Sequence, residues 1–249
     1  MASRSGVSKG LPTRRDEVFR YADIAALEPL WPVAVEVISV AAGESGALAI
    51  VVSGGDAVAR QLSIALAPGA SFDLRILNTG SAYGRIAVAA ELGAGSRFTL
   101  GAAQLGGGSA TLELVTEVTH AAPDAVSRQV VRSVLAGQAT GTYLGKVAVA
   151  RGAVGTDSEQ SVRAMLLSRT ATANAKPELE IYADDVKCAH GCAVGELDAN
   201  GLFYLQSRGL PPEEAKQLML QAFIAEAFVG AADEEELQAQ ALAALGALL

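Results

Sequence analysis

Cysteine is nearly absent: the 249 residues hold two, Cys188 and Cys192. Four positions apart, they do not form the framework of a disulfide-stapled secreted domain. Aromatic residues make up only 5% of the chain, so large rings cannot fill its core. No apolar run approaches the roughly 20 residues of a membrane-spanning helix. The opening stretch "MASRSGVSKGLPTRRDE" has no apolar segment of the kind a signal peptide needs. It is Ser/Arg-rich like some transit peptides, but it is short and Asp16 and Glu17 follow at once. Lys and Arg nowhere cluster, and 27 acidic residues against 19 basic ones give a net charge of -8. That argues against nucleic acid or an anionic membrane as partner. Neither GxxxxGK[ST] nor a GxGxxG leading into a helix occurs, so the chain is not expected to hold nucleotide phosphates. The expected setting is the reducing cytoplasm.

What the chain has is small apolar residues, 26 glycines and a pattern of period two. Leu62, Ile64 and Leu66 alternate, then Phe72, Leu74 and Ile76, then Ile86, Val88 and Ala90. Phe98, Leu100 and Ala102 follow, then Leu112 and Leu114, Val147 and Val149, Val162, Ala164 and Leu166, and Leu179 and Ile181. Such runs read as short strands, and "APGAS", "NTGSAYG", "LGAGS" and "LGGGS" read as the turns between them. A sandwich, a barrel and a solenoid all fit that spacing. The shortness of the strands and their Ala, Val, Ser and Thr content favour a β-solenoid with small residues stacked inside. The lack of a strict hexapeptide repeat argues against the left-handed acyltransferase type.

Helical patterns flank this body. Phe19, Ala22, Ala26 and Leu30 stand three to four apart, with Pro29 and Pro32 to end the run. After Gly195, Asp198 is a suitable N-cap for "ANGLFYLQSR", and Gly209 a stop. "PPEEAKQLMLQAFIAEAF" begins with proline and two acids, and Ala215, Leu218, Met219, Ala222 and Phe223 predict its apolar face. Asp233 and Glu236 predict a capping box for a last helix carrying Leu237, Ala241, Leu245 and Leu248. The expected division is an N-terminal helical segment over 1–32, a β-body over 33–195 and a C-terminal helical subdomain over 196–249.

"ADDVKCAHGCAVG", residues 183–195, concentrates the chemistry. In one strand, Val186, Cys188, His190, Cys192 and Val194 share a face. Alternate residues then stand about 6.6 Å apart, which puts Cys188 about 13 Å from Cys192. Neither a disulfide nor one mononuclear site can use both sulfurs at that distance. Cys188 and His190, about 7 Å apart, can reach one metal or one cluster, but two ligands do not close a site. A metal site completed from elsewhere, a reactive thiol and a strand of core side chains all stay open on spacing alone. A catalytic thiol would need a base in reach; His190 stands off, and the other histidine, His120, sits in the loop-like "VTHAAPDAVS". Asp184 and Asp185 coincide with a change of apolar parity, which predicts a turn or bulge and not a carboxylate pair.

The segment "KPELEIYADDVKCAHGCAVGELDANGLFYLQSRGL", residues 176–210, closely resembles the hallmark segment of the SufB/SufD family of iron–sulfur cluster assembly proteins, on its SufD branch. "SRQVVRSVLAGQATGTYLGKVAVARGAVGTDSEQSVRAMLLS", residues 127–168, is similar to that family's preceding coils. "GLPTRRDEVFRYADI" resembles its N-terminal motif, with Phe19 where the family usually has tryptophan and Ala22 where it usually has threonine. The segment between that motif and the β-body is shorter than usual, and Cys192 stands where a small residue without a thiol is common, so no role carries over to it.

The resemblance implies a right-handed parallel β-helix flanked by terminal helices. It implies a non-catalytic scaffold subunit that pairs with a SufB-type paralogue and binds a SufC-type ATPase through its C-terminal helices. On the amphipathic stretch there, Leu202, Phe203, Tyr204, Arg208, Gly209 and Phe223 are the candidate ATPase contacts. His190 aligns with a histidine implicated at the SufB–SufD interface, and Cys188 joins it as a candidate ligand shared with the partner chain. No cofactor is expected to be held tightly by the isolated chain, and a nascent iron–sulfur cluster is expected at the interface. Self-pairing as a homodimer is left open. The competing readings are a β-helix enzyme acting on carbohydrate or acyl substrates, and a pure protein-interaction module.

Overall fold

The structure, a computed structural model, describes residues 10–80 and 82–249. Residues 1–9, on which much of the leader-peptide reading falls, lie outside the described residues. Among the described residues twelve strands follow one another: β1 (Val35–Val40), β2 (Ser45–Val52), β3 (Val58–Leu66), β4 (Ser71–Thr79), β5 (Tyr83–Leu92), β6 (Arg97–Gly106), β7 (Thr111–His120), β8 (Val126–Leu135), β9 (Thr140–Val149), β10 (Asp157–Leu166), β11 (Thr172–Ile181) and β12 (Lys187–Gly195). Odd strands form one sheet in the order β1-β3-β5-β7-β9-β11, even strands the other in the order β12-β10-β8-β6-β4-β2. Neighbours pair in parallel throughout. The chain therefore winds from sheet to sheet as a parallel β-solenoid of about six turns.

The pitch of the winding is set in the sequence. Val35 stands against Gln61 and Ser45 against Ser71, each 26 residues on. Towards the C-terminal end the coils lengthen, so Thr140 faces Thr172, 32 residues on. One corner of each early coil carries a glycine in the left-handed region, Gly43, Gly69 and Gly95, again at intervals of 26. Their N–H groups donate to Pro68, Ala94 and Pro123 carbonyls of the next coil, so the corners stack as a ladder. Asp124 and Asp185 take the same conformation in later coils, at φ 59° and 53°. Asp185 lies just before β12, which makes the expected turn at Asp184–Asp185 and explains the parity change there.

Inward side chains from both sheets make the core, including Leu62, Ile64, Leu74, Ile76, Ile86, Leu100, Val131 and Val147. The sheets' outer faces are covered in part by the terminal segments. At the N-terminal end the expected single helical run is broken into a 3-10 turn at Glu17–Phe19, the four-residue α1 (Ile24–Leu27) and a second 3-10 turn at Glu28–Leu30. The cause is Asp23, whose carboxylate accepts from the Ala26 N–H and starts a new helix where the old one would have continued. This segment is anchored to the odd sheet by Arg85. The guanidinium is paired with buried Glu113, donates to the Val18 carbonyl and lies 4.2 Å from the Phe19 ring centre.

At the other end come α2 (Ala199–Ser207), α3 (Pro212–Ala225) and α4 (Glu234–Gly246). Leu220 and Ile224 of α3, Ala227 and Phe228 just after it, and Leu237, Ala241 and Leu245 of α4 pack on Leu77, Ala103, Leu105 and Val134. Those four are outward residues of β4, β6 and β8, so α3 and α4 lie on the outside of the even sheet. Complete burial of Phe228 and of Leu245 contributes about 1.5–3 kcal/mol each. The predicted face of α3 is corrected by this packing. Leu218 and Ala222 are exposed, and Ala215, Leu220 and Ile224 are the buried residues. Apolar residues occupy neighbouring stripes of this helix, so periodicity alone does not choose between them. The predicted capping box is also absent: Asp233 makes no side-chain cap bond, and its φ of -106° and ψ of 35° depart from the extended geometry a cap needs. Glu234 instead reaches back to accept from the Gly230 N–H at 2.8 Å, which ties the preceding turn to the start of α4.

Candidate functional site

The strand predicted over residues 186–194 is β12, Lys187–Gly195, the edge of the even sheet in the last coil. It pairs with β10 in an unbroken register, Ser158 with Cys188, Gln160 with His190 and Val162 with Cys192. Ser158, Gln160 and Val162 are buried inside the solenoid. Cys188, His190 and Cys192 thus share the inward-facing parity, but no further coil closes over them. Cys188 is half-buried and packs against the core, while His190 and Cys192 are exposed. In a parallel strand the residues bonded to one neighbour alternate with those turned away from it. Lys187 donates its N–H to Thr156, so the backbone groups of Cys188, His190, Cys192 and Val194 face the free edge.

The unbroken register keeps the two sulfurs four residues apart along a regular strand, about 13 Å, and both cysteines are free. Burial pushes the Cys188 thiol up, opposed by a backbone hydrogen bond from Ser158 and aided by the charge of Asp157. Burial also pushes the Cys192 thiol up. A metal binding at either sulfur must therefore displace a proton. Among the described residues no group of three or more His, Cys, Asp or Glu comes together that could hold a metal ion. The donors on β12, a soft sulfur and an imidazole, suit iron chemically, but they do not complete a site among the described residues.

Beneath β12 lies a polar interior that the alternation of apolar residues did not reveal. Thr116, Gln129, Tyr143 and Gln160 are all buried and linked: Gln160 Nε2 donates to Tyr143 Oη at 3.1 Å, and Tyr143 Oη donates to Gln129 Oε1 at 3.3 Å. Thr116 Oγ1 adds a bond to Gln129 Oε1 at 3.2 Å. Beside it, His120 Nε2 meets Ser127 Oγ at 2.9 Å, and Ser127 Oγ meets Ser158 Oγ at 2.9 Å. His120 is not in a loop, as its sequence setting suggested; it ends β7 and is fully buried. Burial lowers its pKa to about 4, so it is neutral at pH 7. The signal available in the sequence was parity: Leu112, Leu114, Thr116, Val118 and His120 occupy one face without interruption.

The candidate partner contacts divide into two groups. Phe203 is 71% and Tyr204 56% exposed on α2, and the exposed Arg208 lies 5.2 Å from the Tyr204 ring centre. Gly209, at φ 96°, ends the helix as predicted, and Asp198 caps its start by accepting from the Asn200 and Gly201 N–H groups. Leu202 is half-buried. Phe223, on α3, is half-buried against the outer layer with Arg132 5.8 Å from its ring centre, so it serves internal packing as well.

The fold is a two-sheet parallel solenoid whose terminal strand, paired on one edge only, carries a thiol and an imidazole. The chain matches the family described as the SufBD core domain of SUF-system FeS cluster assembly over residues 34–223, and it belongs to that family. Among curated relatives, the iron–sulfur cluster assembly protein SufD of Escherichia coli K12 is 39% identical over 120 residues, 48% of this chain and 28% of that protein. The chloroplastic protein ABCI7 of Arabidopsis thaliana is 40% identical over 116 residues, 45% of this chain and 24% of that one. The SufD of Bacillus subtilis is 33% identical over 121 residues, 49% and 28% of the two chains. The chain thus matches about a quarter of the length of these relatives.

Proposed function

We propose that the chain is a SufD-type, non-catalytic scaffold subunit in iron–sulfur cluster assembly, acting in the cytoplasm. The observation that carries this reading is the terminal coil, where β12 leaves its backbone edge unpaired and presents Cys188 and His190 with too few ligands to close a site. A SufB-type paralogue adds its own edge there and supplies the missing donors. The nascent cluster is cargo: the Cys188 thiolate and the neutral imidazole of His190 donate to its iron, and neither holds it in the isolated chain. The exposed aromatic pair Phe203 and Tyr204, with Arg208 beside it, supports docking of a SufC-type ATPase on residues 196–249. An aromatic and Arg surface of this kind is typical of interface anchors.

The test is anaerobic co-purification with a SufB-type partner and a SufC-type ATPase, followed by iron and sulfide assay. His190→Ala is expected to lower cluster content while the complex still forms, and Cys192→Ala to leave it unchanged. Because His190 is exposed, its truncation removes no core volume, so melting temperature and bound iron are measured on the same samples. Lost stability with unchanged iron per complex would overturn the ligand role. Phe203→Asp should abolish ATPase co-purification without changing the melting temperature, and retained binding would overturn that docking site.

A further inference from the structure

We propose that Gln160 is the positioning residue for His190: the exposed imidazole turns inward to donate one N–H to the Gln160 side-chain carbonyl, which has no partner in this structure, leaving the second ring nitrogen as a lone pair aimed out of the solenoid. This rests on the reading of His190 as an iron donor. The two residues are register partners on adjacent strands with the same inward parity, roughly 4.8 Å apart at the backbone. Gln160 is completely buried. Its amide orientation follows from its neighbours. Gln129 Oε1 accepts from Tyr143 Oη, so the tyrosine oxygen is left as an acceptor and takes Gln160 Nε2 as donor. That direction of bonding leaves Gln160 Oε1 buried with no partner. A buried carbonyl without a donor is costly, and the residue in register with Gln160 on β12, on the same face, is His190.

The chemistry of the pair is that of a metal-binding histidine. Such a residue nearly always donates its other ring N–H to a carbonyl or carboxylate, which fixes the tautomer and raises the basicity of the donor nitrogen. The chain of bonds from Gln160 through Tyr143 to Gln129 holds the accepting carbonyl in place. His190 is exposed on a strand without a covering coil, so a fixed ring must be held from below. One competitor exists within the core: Gln129 Nε2 is also buried without a partner, one coil further down, and pairs with Gln160 in register across β8 and β10. If the two amides bond to each other, Gln160 has nothing to offer His190.

Long-range proton–nitrogen NMR of the full chain, labelled with nitrogen-15 in histidine and recorded in alkaline buffer, separates these cases without iron or partner. His190→Ala assigns the signal against that of His120. The expected spectrum shows His190 held in a single neutral tautomer. Gln160→Leu should convert it to the mixture of a free imidazole, Gln160→Glu should restore one tautomer because it keeps an acceptor, and Gln129→Leu should leave it unchanged. In the complex with a SufB-type partner, Gln160→Leu should then lower iron content several-fold with pairing intact. A wild-type His190 already showing the free-imidazole mixture would overturn the proposal, and that result does not depend on any Gln160 variant folding. An unchanged tautomer in Gln160→Leu would overturn it equally. Loss of the tautomer in Gln160→Leu with no effect of His190→Ala on iron would uphold the contact and overturn the ligand reading instead.

Discussion

His120 occupies the end of β7 with no exposure, bonded to a serine hydroxyl and neutral at pH 7. Its consequence is a pH dependence of folding. An unfolded histidine takes up its proton near pH 6.5, the folded one only near pH 4, so between these values the unfolded state binds more protons. Stability is expected to be complete above pH 6.5 and to fall by about 3 kcal/mol as the pH drops to 4. Urea titrations across that window should show the slope, and His120→Gln should flatten it. A slope unchanged in the variant would place its origin elsewhere. The sequence did not place this residue in the core, because histidine followed by "AAPD" reads as the start of a loop. Gln129, Gln160 and Tyr143 were missed for a related reason: an alternation defined by apolar residues passes over the inward positions that are polar. Cys188 and His190, by contrast, were placed correctly, since a regular strand leaves only one spacing for them.

At the scale of elements, the outer layer on the even sheet depends on close approach. Arg75 donates to the Ala227 and Val229 carbonyls, and Arg132 to Glu226, so two buried guanidinium groups fix the segment between α3 and α4. Gly101 lies beneath that segment, and a β-carbon there would come within 1.8 Å of the Ala227 oxygen. No side-chain rotation relieves a clash with backbone. Gly101→Ala is therefore expected to lift the segment and destabilise the protein by about 1–3 kcal/mol. Hydrogen exchange should show the loss concentrated in α3 and α4, and an unperturbed exchange pattern would contradict it. The existence of α2 and α3 was legible from Asp198, Gly209 and the proline pair, and that of α4 from the spacing of Leu237, Ala241 and Leu245. The face that α3 turns inward was not, because the deciding partners, Leu77, Ala103 and Leu105, lie more than a hundred residues away in the sequence.

For the molecule as a whole, the decisive property is that its last coil is open. Val194 is 47% exposed and its N–H faces the free edge of β12. Proline is tolerated on such an edge because no ladder bond within the chain is lost. Val194→Pro should leave the melting temperature of the isolated chain nearly unchanged and abolish pairing with a SufB-type partner in size-exclusion chromatography. Intact pairing would mean that the partner does not extend this sheet. The solenoid was legible from the short strands rich in Ala, Val, Ser and Thr. The first two strands and β8 were not individually marked; in β8 the inward positions Ser127, Gln129 and Ser133 are polar, which hides the alternation.

The stacked corners at Gly43 and Gly69 make length a quantised variable. Removing residues 44–69 joins Gly43 to Ala70 one full turn later, with every downstream strand keeping its sheet, its parity and its corner. Removing one residue fewer rotates the following strand and turns its core face to solvent. The 26-residue excision is expected to yield a shorter molecule that still unfolds in one cooperative transition at a lower temperature, and the 25-residue excision to yield aggregate. The body can thus be shortened or extended only by whole turns at this end, like a screw cut to an integral number of threads, and the strand of Cys188 and His190 at the opposite end would be untouched by the change.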